Sequence, residues 1–377
     1  MSMNISGLGN AYSGVNTNSK QYKALKEKGA KIILMAHLGR PKGEWKTEFS
    51  LEPVAKYMSK VLGEDVLFVK SPVGEGADKE LEALKDGQVA LLENIRFYKA
   101  EEAKDDDMTF AEELAKLGDF YVNDAFGAAH RKHTSTAKVA HILKPAVAGL
   151  LMEKEIRCLS QALDNPTRPF TAVVGGAKVS SKIGVLENLI DKVDNLIIGG
   201  GMAYTFVKAN GGKIGNSICE DDQMDVAKAI EKKAADKGVK IVMATDVLAA
   251  DDFSGNGTNK VVSINEIPDG FEGVDAGPDS QKAFAEVIKN SKTILMNGPV
   301  GAFENPKFAE GTKAVLQAIV DATKAGAVSV IGGGDSVSAA KKYFKAEDFT
   351  HVSTGGGASL EFIEGKVLPG VAALDEK

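Results

Sequence analysis

Basic side chains that follow apolar runs in the first half of the chain are its clearest candidates for chemistry. The segment 37–40 (HLGR) comes after one such run, Arg96 after a second and His130-Arg131 after a third, whereas His133 and His141 have no such placement and are expected to be surface or packing residues. The forked guanidinium of arginine binds a carboxylate or a phosphate through two hydrogen bonds. Taken alone, each residue is more simply a surface arginine or a packed histidine. Together, at the ends of neighbouring strands, they predict a site for a small ligand with two or three negative charges.

Glycine groups follow apolar runs in the second half of the chain. They close the segments 171–176, 195–201, 328–334 and 351–357. Because glycine has no Cβ, the backbone there can approach a bulky anion and present its N–H groups. A helix that starts at the same place adds a favourable dipole. Four such strand exits on one sheet predict a surface that binds phosphates.

Charged residues accompany these glycines. Lys178 and Lys182 lie four residues apart, which on a helix would place both ammonium groups on one face, although an ordinary basic helix start would look the same. Each ammonium would act as a mobile point charge during phosphoryl transfer. Asp335 follows a glycine group, where a carboxylate usually meets phosphates through Mg²⁺, while in isolation it is more simply a helix N-cap. Glu304, after the segment 297–299 (NGP), would accept hydrogen bonds from ribose hydroxyls.

The composition argues against several classes of protein. The chain has 377 residues, of which 44% are hydrophobic, enough for two cores, and its net charge of −6 does not favour nucleic acid as a partner. Cys158 and Cys219 cannot form a disulfide framework, are expected to fill cores, and fit a reducing cytoplasm. No apolar run approaches the ~20 residues of a membrane span, and residues 1–19 do not resemble a secretory signal. The P-loop fingerprint G-x-x-x-x-G-K-[ST] is absent, and the absence of G-x-G-x-x-G disfavours an NAD-dependent enzyme.

Short apolar runs alternate with amphipathic stretches from Gly29 onward. This pattern predicts an α/β fold of two doubly wound, Rossmann-like domains with parallel sheets, whose ligands bind beyond the carboxyl ends of the strands. A helix over 152–163 and a hinge would join the domains, and Pro166 and Pro169 would end that helix. The predicted strands are 31–36, 66–69, 89–92, 120–122, 171–174, 195–198, 240–244, 293–296, 328–331 and 351–353. The predicted helices are 50–62, 110–117, 222–237, 280–289 and 311–323, with Ser50 and Ser280 as N-caps.

Several segments taken together resemble the phosphoglycerate kinase family. They are GAKIILMAHLGRPKG (29–43), LLENIRF (91–97), VNDAFGAAHR (122–131), VVGGAKVSSKIGVLENL (173–189), IIGGGMAYTF (197–206), NGPVGAFE (297–304), IGGGDSVSA (331–339) and HVSTGGGASLEFIEGKVLPGVAAL (351–374). The resemblance runs from about Lys20 to the C-terminus and implies a cytoplasmic, monomeric, hinge-bending enzyme of glycolysis. Such an enzyme passes a phosphoryl group reversibly between ATP and the carboxylate of 3-phosphoglycerate, with Mg²⁺ on the nucleotide. Its partners would be these small molecules, without nucleic acid or a membrane.

The resemblance also implies roles for parts of the chain. Residues 1–151 would bind 3-phosphoglycerate, 152–165 would form the interdomain helix, 166–363 would bind the nucleotide, and 364–377 would return to the first domain. The acid would be held by His37, Leu38, Gly39, Arg40, Arg96, His130 and Arg131. The transferring group would be stabilised by Lys178, Gly355 and Gly356. The nucleotide would be bound by Gly175, Gly176, Ala177, Lys182, Gly200, Gly201, Asn297, Pro299, Glu304, Gly333, Gly334, Asp335 and Ser336, of which Asp335 would also position Mg²⁺.

The opening of the chain departs from the family pattern. The family begins with a strand that ends in an Arg-Val-Asp-Phe-Asn-like loop, and a helix start with another arginine follows, whereas the first arginine here is Arg40. The first domain is therefore expected to be incomplete at its start and to lack an interior strand, which should lower its stability by several kcal/mol. Loss of one charge-stabilising group would reduce catalysis by ~10²–10³-fold. The alternative interpretation is a nucleotide-binding but catalytically impaired relative, or a truncated form without the substrate loop.

Overall fold

The computed structural model describes residues 20–376 of the chain. The described chain divides into two compact units; it passes from the first to the second inside one helix, between Lys154 and Glu155, and returns to the first between Lys366 and Val367. Unit 1 takes the residues up to Lys154 and those from Val367 onward, and unit 2 takes Glu155–Lys366. The expectations about residues 1–19, including the missing strand, lie outside the described residues.

The described strands of unit 1 form two parallel sheets, one with the order β1-β3-β2 and one that pairs β4 with β5. Both sheets contribute to one apolar core, Leu92 from the first sheet and Tyr121 and Ala146 from the second. Burial of this shared core is what holds the two sheets in one unit. The strands are β1 (Ile32–Leu34), β2 (Val66–Val69), β3 (Val89–Leu92), β4 (Tyr121–Asn123) and β5 (Ala146–Ala148).

Helices cover the sheets of unit 1, and α2 shows why the sequence forms them. Pro53 lies in the first turn of α2, and Gly63 ends the helix in the left-handed conformation with φ 69°. Val54, Ala55 and Met58 form the buried stripe between these ends. The helices of this unit are α1 (Lys20–Glu27), α2 (Glu52–Leu62), α3 (Glu75–Leu81), α4 (Thr109–Ala115), α5 (Val139–Ile142) and α14 (Pro369–Ala372).

Unit 2 is built on a six-stranded parallel sheet with the order β16-β15-β14-β6-β7-β9. Its central strands are apolar and buried on both faces, as in other parallel sheets covered by helices. All six carboxyl ends meet at one edge, which is where ligands bind in such sheets. The strands are β6 (Phe170–Val174), β7 (Asn195–Ile198), β9 (Lys240–Met243), β14 (Thr293–Asn297), β15 (Val328–Gly332) and β16 (His351–Val352).

A smaller antiparallel sheet with the order β11-β10-β13 and a short parallel pair complete the described strands of unit 2. The sequence pattern predicted neither of them. These strands are β8 (Lys213–Ile214), β10 (Asp246–Ala250), β11 (Asn259–Ser263), β12 (Glu266–Ile267) and β13 (Glu272–Ala276). Helix α6 (Leu150–Asp164) begins in unit 1 and continues into unit 2. The other helices of unit 2 are α7 (Ile183–Ile190), α8 (Ala203–Ala209), α9 (Met224–Asp236), α10 (Pro278–Lys289), α11 (Glu310–Lys324), α12 (Gly334–Tyr343) and α13 (Gly356–Ile363).

The structure corrects two predicted helix caps. Ser280 lies inside α10, because Pro278 begins that helix, and its hydroxyl instead accepts hydrogen bonds from the N–H groups of Thr245 and Asp246. Leu51, rather than Ser50, takes the N-cap position of α2, while the Ser50 hydroxyl accepts from Glu52 N–H at 3.2 Å and donates to Glu93 at 2.7 Å. The bounds of β2, β3 and β7 agree with the prediction to the residue.

The two cysteines differ in burial. Cys158 is buried, as expected, but Cys219 is half-buried at the edge of a small apolar cluster, with its Sγ 3.2 Å from the Asp221 carboxylate. No helix among residues 20–376 has the length and apolar character of a membrane span.

Candidate active site

The end of β3 anchors the loop that follows β1 in unit 1. The Asn94 side-chain amide donates to the carbonyls of Leu38 and Phe49 at 2.8 and 2.9 Å. Its neighbour Glu93 accepts a hydrogen bond from Leu51 N–H at 2.8 Å. The loop that carries His37 and Arg40 is therefore fixed to the carboxyl end of the neighbouring strand.

Arg96 lies on a short 3₁₀ turn at this edge, and its N–H is capped by the Asn94 side chain. Its side chain is 8% exposed, with Nη1 donating to the Gly39 carbonyl at 3.0 Å and Nε 3.3 Å from Glu102 Oε1. Burial lowers the pKa of Arg96, the Glu102 carboxylate opposes that shift, and the charges of Arg131 and Arg40 add to it. The guanidinium stays charged, because its ordinary pKa lies far above neutrality.

His37 shares this environment. Burial, followed by the charges of Arg96, His133 and Arg131, lowers the pKa of His37 to about 4. His37 is thus a neutral imidazole at neutral pH, able to donate one hydrogen bond and accept another. His37, at the end of β1, therefore lies within electrostatic range of Arg96, after β3, and of Arg131, after β4.

Arg131 and His130 follow β4 and a short 3₁₀ turn. The Arg131 Nε donates to His130 Nε2 at 3.2 Å, and the Arg131 side chain is exposed. Arg40 is also exposed and lies close enough to Arg96 to influence its titration. Both exposed arginines therefore remain accessible to a ligand.

His133, which was expected to be a surface or packing residue, packs against two carboxylates. Its Nδ1 lies 4.0 Å from Glu101 Oε1 and its Nε2 lies 3.9 Å from Glu102 Oε1, so it belongs to the cluster around Arg96. Burial and the Arg96 charge lower the pKa of His133 to about 4. Glu101 is buried against Ser135, and burial raises the pKa of Glu101 to about 7. A tertiary contact between segments distant in sequence creates this group, so no local pattern signals it. The exposed His141 lies apart from this group, in α5.

In unit 2 the loops after β6, β7 and β14 touch through their backbones. A Cβ added to Gly175 would lie 2.0 Å from the Pro299 carbonyl oxygen, and one added to Gly200 would lie 2.7 Å from Gly176 N. Gly175 N–H donates to the Asn297 carbonyl at 3.1 Å. Glycine is therefore required for contact between the loops as well as for access by a ligand.

Lys178 and Lys182 were predicted to lie on one face of a helix, and this prediction was wrong. Helix α7 begins at Ile183, so both lysines lie in the turn before it, and Lys182 takes the N-cap position. Hydrogen bonds made by two serines compete with helix formation in this turn. Ser180 donates to the Glu220 carboxylate through its N–H and its hydroxyl, and the Ser181 hydroxyl donates to the Lys178 carbonyl. Lys178 is exposed, whereas Lys182 is half-buried, so the two ammonium groups occupy different environments.

Asn297 is completely buried at the end of β14, and its Oδ1 accepts a hydrogen bond from Lys182 Nζ. Its Nδ2 is buried and has no hydrogen-bond partner among the described residues. A Cβ on Gly333 would lie 3.1 Å from this nitrogen, so the amide faces the glycines after β15. Burial lowers the pKa of Lys182, against the opposing charges of Asp335 and Glu364. An unused amide donor beside an ammonium group suits an anion.

Helix α12 starts at this edge. Gly333 takes its N-cap position with φ 83°, so Asp335 is an exposed residue of the first turn and the N-cap interpretation of Asp335 was wrong. Ser336 is buried and its Oγ accepts from Gly298 N–H at 2.5 Å. Residues 20–376 contain no group of three or more His, Cys, Asp or Glu side chains that could hold a metal ion unaided. Asp335 still fits Mg²⁺, which is usually bound through one or two carboxylates together with substrate phosphates.

The remaining predicted residues line the same carboxyl edge of the sheet. Ala177 is exposed in the loop after β6, and Gly201 packs against that loop, since a Cβ there would lie 3.1 Å from the Ala177 carbonyl. Glu304 is exposed in the turn after β14. Gly355 is the N-cap of α13, which begins at Gly356.

Comparison with known proteins agrees with this arrangement. The profile of the family described as PGK: Phosphoglycerate kinase matches residues 15–366. A phosphoglycerate kinase of Microcystis aeruginosa is 52% identical over 350 residues, which cover 93% of this chain and 87% of the relative. The solved structure of phosphoglycerate kinase from Coxiella burnetii is 42% identical with a TM-score of 0.86, over 94% of this chain and 88% of that one.

A more distant solved relative has the same fold. Phosphoglycerate kinase from Pyrococcus horikoshii OT3 is 32% identical, with a TM-score of 0.77 over 94% of this chain and 88% of its own. The family match and the identities over most of the chain agree with the parallel sheets, the glycine loops and the basic cluster. The chain belongs to the phosphoglycerate kinase family.

Proposed function

We propose that the two units of this phosphotransferase divide its substrates, so that unit 2 binds ATP or ADP and unit 1 binds 3-phosphoglycerate. The reaction is reversible transfer of the γ-phosphoryl group of ATP to the carboxylate of 3-phosphoglycerate. The observation that carries the nucleotide assignment is the buried Asn297 Nδ2, which has no partner among the described residues and lies beside Lys182 at the glycine-rich edge. A phosphate oxygen would satisfy that donor and pair with the ammonium group.

The basic cluster of unit 1 supports the assignment of the acid. At neutral pH, 3-phosphoglycerate carries a phosphate and a carboxylate, and the arginines at 40, 96 and 131 supply matching positive charge. Neutral His37 would add a single hydrogen bond, because the pKa of its imidazole is lowered to about 4. This arrangement orients the acid without a reactive side chain, as phosphoryl transfer requires.

The chemical step needs no general base. The acceptor carboxylate is already ionised, because carboxyl groups of this kind have a pKa of about 4. A carboxylate oxygen forms a bond to the γ-phosphorus while the bond from that phosphorus to the bridging oxygen breaks, and ADP leaves with both electrons. The products are ADP and an acyl phosphate, and no proton moves.

Residues of unit 2 would neutralise charge during this step. The exposed Lys178, after β6, would pair with the transferring phosphoryl group, and the backbone N–H groups of Gly355 and Gly356 would donate to its oxygens. Lys182 and Ser336 would hold the other phosphates, and Glu304 the ribose. Mg²⁺ held by Asp335 and nucleotide oxygens would supply further neutralisation of the phosphates.

We also infer that the chain acts as a cytoplasmic monomer. Two unbridged cysteines support a reducing compartment, and the net charge of −6 gives no support to nucleic acid as a partner. Light scattering during size exclusion should give a mass near 39.8 kDa. A mass twice that value would contradict the monomer.

An assay for both reactants tests the proposed function. With ATP, Mg²⁺ and 3-phosphoglycerate, the chain should form ADP and an acyl phosphate that ³¹P NMR detects, and hydroxylamine should trap that product. ADP formed equally well without 3-phosphoglycerate would contradict transfer to the acid. Calorimetric binding of ADP without any binding of 3-phosphoglycerate would favour the catalytically impaired alternative.

A further inference from the structure

The Arg96 guanidinium is held along two of its edges. Its Nη1 donates to the Gly39 carbonyl at 3.0 Å, and its buried Nε lies 3.3 Å from Glu102 Oε1. No described residue forms a well-aligned hydrogen bond with that Nε, so the Glu102 carboxylate is the charge that faces it. These two contacts leave the Nη2 edge for another anion.

Glu102 faces a largely basic group. Besides Arg96 it approaches His133 Nε2 at 3.9 Å, and Arg131 and Arg40 both lie within electrostatic reach of Arg96. The carboxylate of Glu101 is buried and bound to Ser135, so its oxygens are already occupied. Glu102 is one-third exposed, so solvent reaches the carboxylate that faces the buried guanidinium.

We propose that Glu102 is a positioning residue for 3-phosphoglycerate, which acts by fixing the orientation of Arg96; this rests on the proposed function of unit 1. Two effects of its carboxylate oppose each other. The negative charge weakens the attraction of the cluster for an anion, but solvent and salt screen that term. The pairing with Nε holds a long side chain in one rotamer and sets a compensating negative charge 3.3 Å from a buried donor that makes no aligned hydrogen bond with any described residue. Orientation is expected to dominate.

A double-mutant cycle separates these effects. Calorimetry would give the Kd for 3-phosphoglycerate of the full chain, of Glu102→Gln, of Arg96→Ala and of the double variant. Glu102→Gln should weaken binding about 5- to 30-fold when Arg96 is present and less than about twofold when it is absent. Glu102→Asp, which keeps the charge, should recover part of the loss. The Kd for Mg·ADP should stay within about twofold throughout.

Glu113→Gln is the matched control, because Glu113 pairs with Lys116 on the surface of unit 1. It removes the same charge and should leave the Kd for 3-phosphoglycerate unchanged. If Glu102→Gln fails to fold, Glu102→Asp runs the same cycle and should still weaken binding more when Arg96 is present.

Equal fold-changes in both backgrounds, tighter binding by Glu102→Gln, or no effect while Arg96→Ala weakens binding would overturn the positioning role and leave the proposed function intact. An unchanged Kd in Arg96→Ala itself would instead contradict the assignment of Arg96 to the acid site.

Discussion

The Glu155 carboxylate lies 2.7 Å from His351 Nε2, and both side chains are buried within unit 2. Its other oxygen accepts hydrogen bonds from the N–H and the hydroxyl of Thr354, both at 2.7 Å. Thr354 immediately precedes the glycines at 355–357. Glu155 therefore ties helix α6 to the start of the loop that is proposed to meet the transferring phosphoryl group.

Replacement of this carboxylate should cost stability in a pH-dependent way. Burial would raise the pKa of Glu155, but hydrogen bonds from His351 and Thr354 and the His351 charge outweigh burial, so the pKa lies below its ordinary value. A depressed folded-state pKa stabilises the fold above the unfolded-state pKa, and that contribution is lost as the pH falls through the folded-state value. Glu155→Gln should lower the free energy of unfolding by about 1–3 kcal/mol at pH 7 and by less at pH 4.

Urea unfolding of the unchanged chain and of Glu155→Gln, at pH 7 and at pH 4, measures this loss of stability. Glu187→Gln, at an exposed position of α7, is the control and should change little at either pH. A loss of the same size at pH 7 and pH 4 would show that ionisation of Glu155 is not responsible.

The two lysines after β6 should affect different constants, one the Kd for Mg·ADP and the other kcat. Lys182 binds the Asn297 side chain, so Lys182→Met should weaken Mg·ADP about 10- to 100-fold through loss of a charged partner for phosphate. Lys178 is exposed and contacts no phosphate-binding side chain that the structure describes, so Lys178→Met should mainly lower kcat, by about 10²–10³-fold. Calorimetry and steady-state kinetics give both constants.

Lys282→Met provides the control for the loss of one positive charge, because Lys282 is exposed on α10. Its Kd for Mg·ADP and its kcat should match those of the unchanged chain. Similar losses of ADP affinity in Lys178→Met and Lys182→Met would contradict the division of roles.

Two glycine substitutions distinguish folding from ligand access. A Cβ on Gly334 would meet no atom within 4 Å, so Gly334→Ala should fold with unchanged stability or gain about 0.4–1 kcal/mol. If the nucleotide phosphates approach the start of α12, the same methyl group should weaken Mg·ADP by about tenfold or more. Gly175→Ala, by contrast, should destabilise unit 2, since its Cβ would lie 2.0 Å from the Pro299 oxygen.

Thermal unfolding and calorimetry on both variants test this prediction. Gly334→Ala with normal stability and normal ADP affinity would show that no phosphate approaches that glycine.

Asp275 should make stability fall as the pH rises towards neutrality. It is buried beside the start of α11 and accepts from Gly311 N–H at 2.7 Å, and burial raises the pKa of Asp275 to about 7. A raised folded-state pKa gives stability that is present below the unfolded-state value and is lost as the pH rises through the folded-state value. Between pH 5 and pH 8 this term should cost about 2–3 kcal/mol. In Asp275→Asn the free energy of unfolding should change less over that range.

Urea unfolding at pH 5 and pH 8 measures this change. Asp269→Asn, at an exposed position of the same unit, is the control and should show the same change in the free energy of unfolding with pH as the unchanged chain. An unchanged slope in Asp275→Asn would assign the pH dependence to other groups.

The sequence predicted those features that depend on local pattern. β2, β3 and β7 are short apolar runs with clear ends, and their bounds follow from that. The glycines after β6, β7, β15 and β16 could be placed at the sheet edge for the same reason. β11 was missed because it alternates exposed and half-buried residues and pairs, among the described strands, only with β10.

Features created by tertiary contacts could not be predicted from the sequence. His133 joins the Arg96 cluster through carboxylates that lie far away in sequence. The turn at Lys178 and Lys182 looked helical from residue spacing, yet hydrogen bonds from Ser180 to Glu220 hold it outside the helix. The buried Asn297 amide, which carries the nucleotide assignment, became recognisable as an unused donor only in the folded chain.

Crossed ligand titrations of two variants test whether each unit binds its own substrate. Asn297→Asp keeps the size of the side chain and an acceptor for Lys182 but replaces the buried donor with a negative charge. Asn297→Asp should raise the Kd for Mg·ADP by at least about tenfold and leave the Kd for 3-phosphoglycerate within about twofold. Arg96→Ala should instead raise the Kd for 3-phosphoglycerate and leave that for Mg·ADP unchanged within about twofold. If Asn297→Asp left ADP binding unchanged, or if both variants lost both ligands equally, the division of the substrates between the two units would be contradicted.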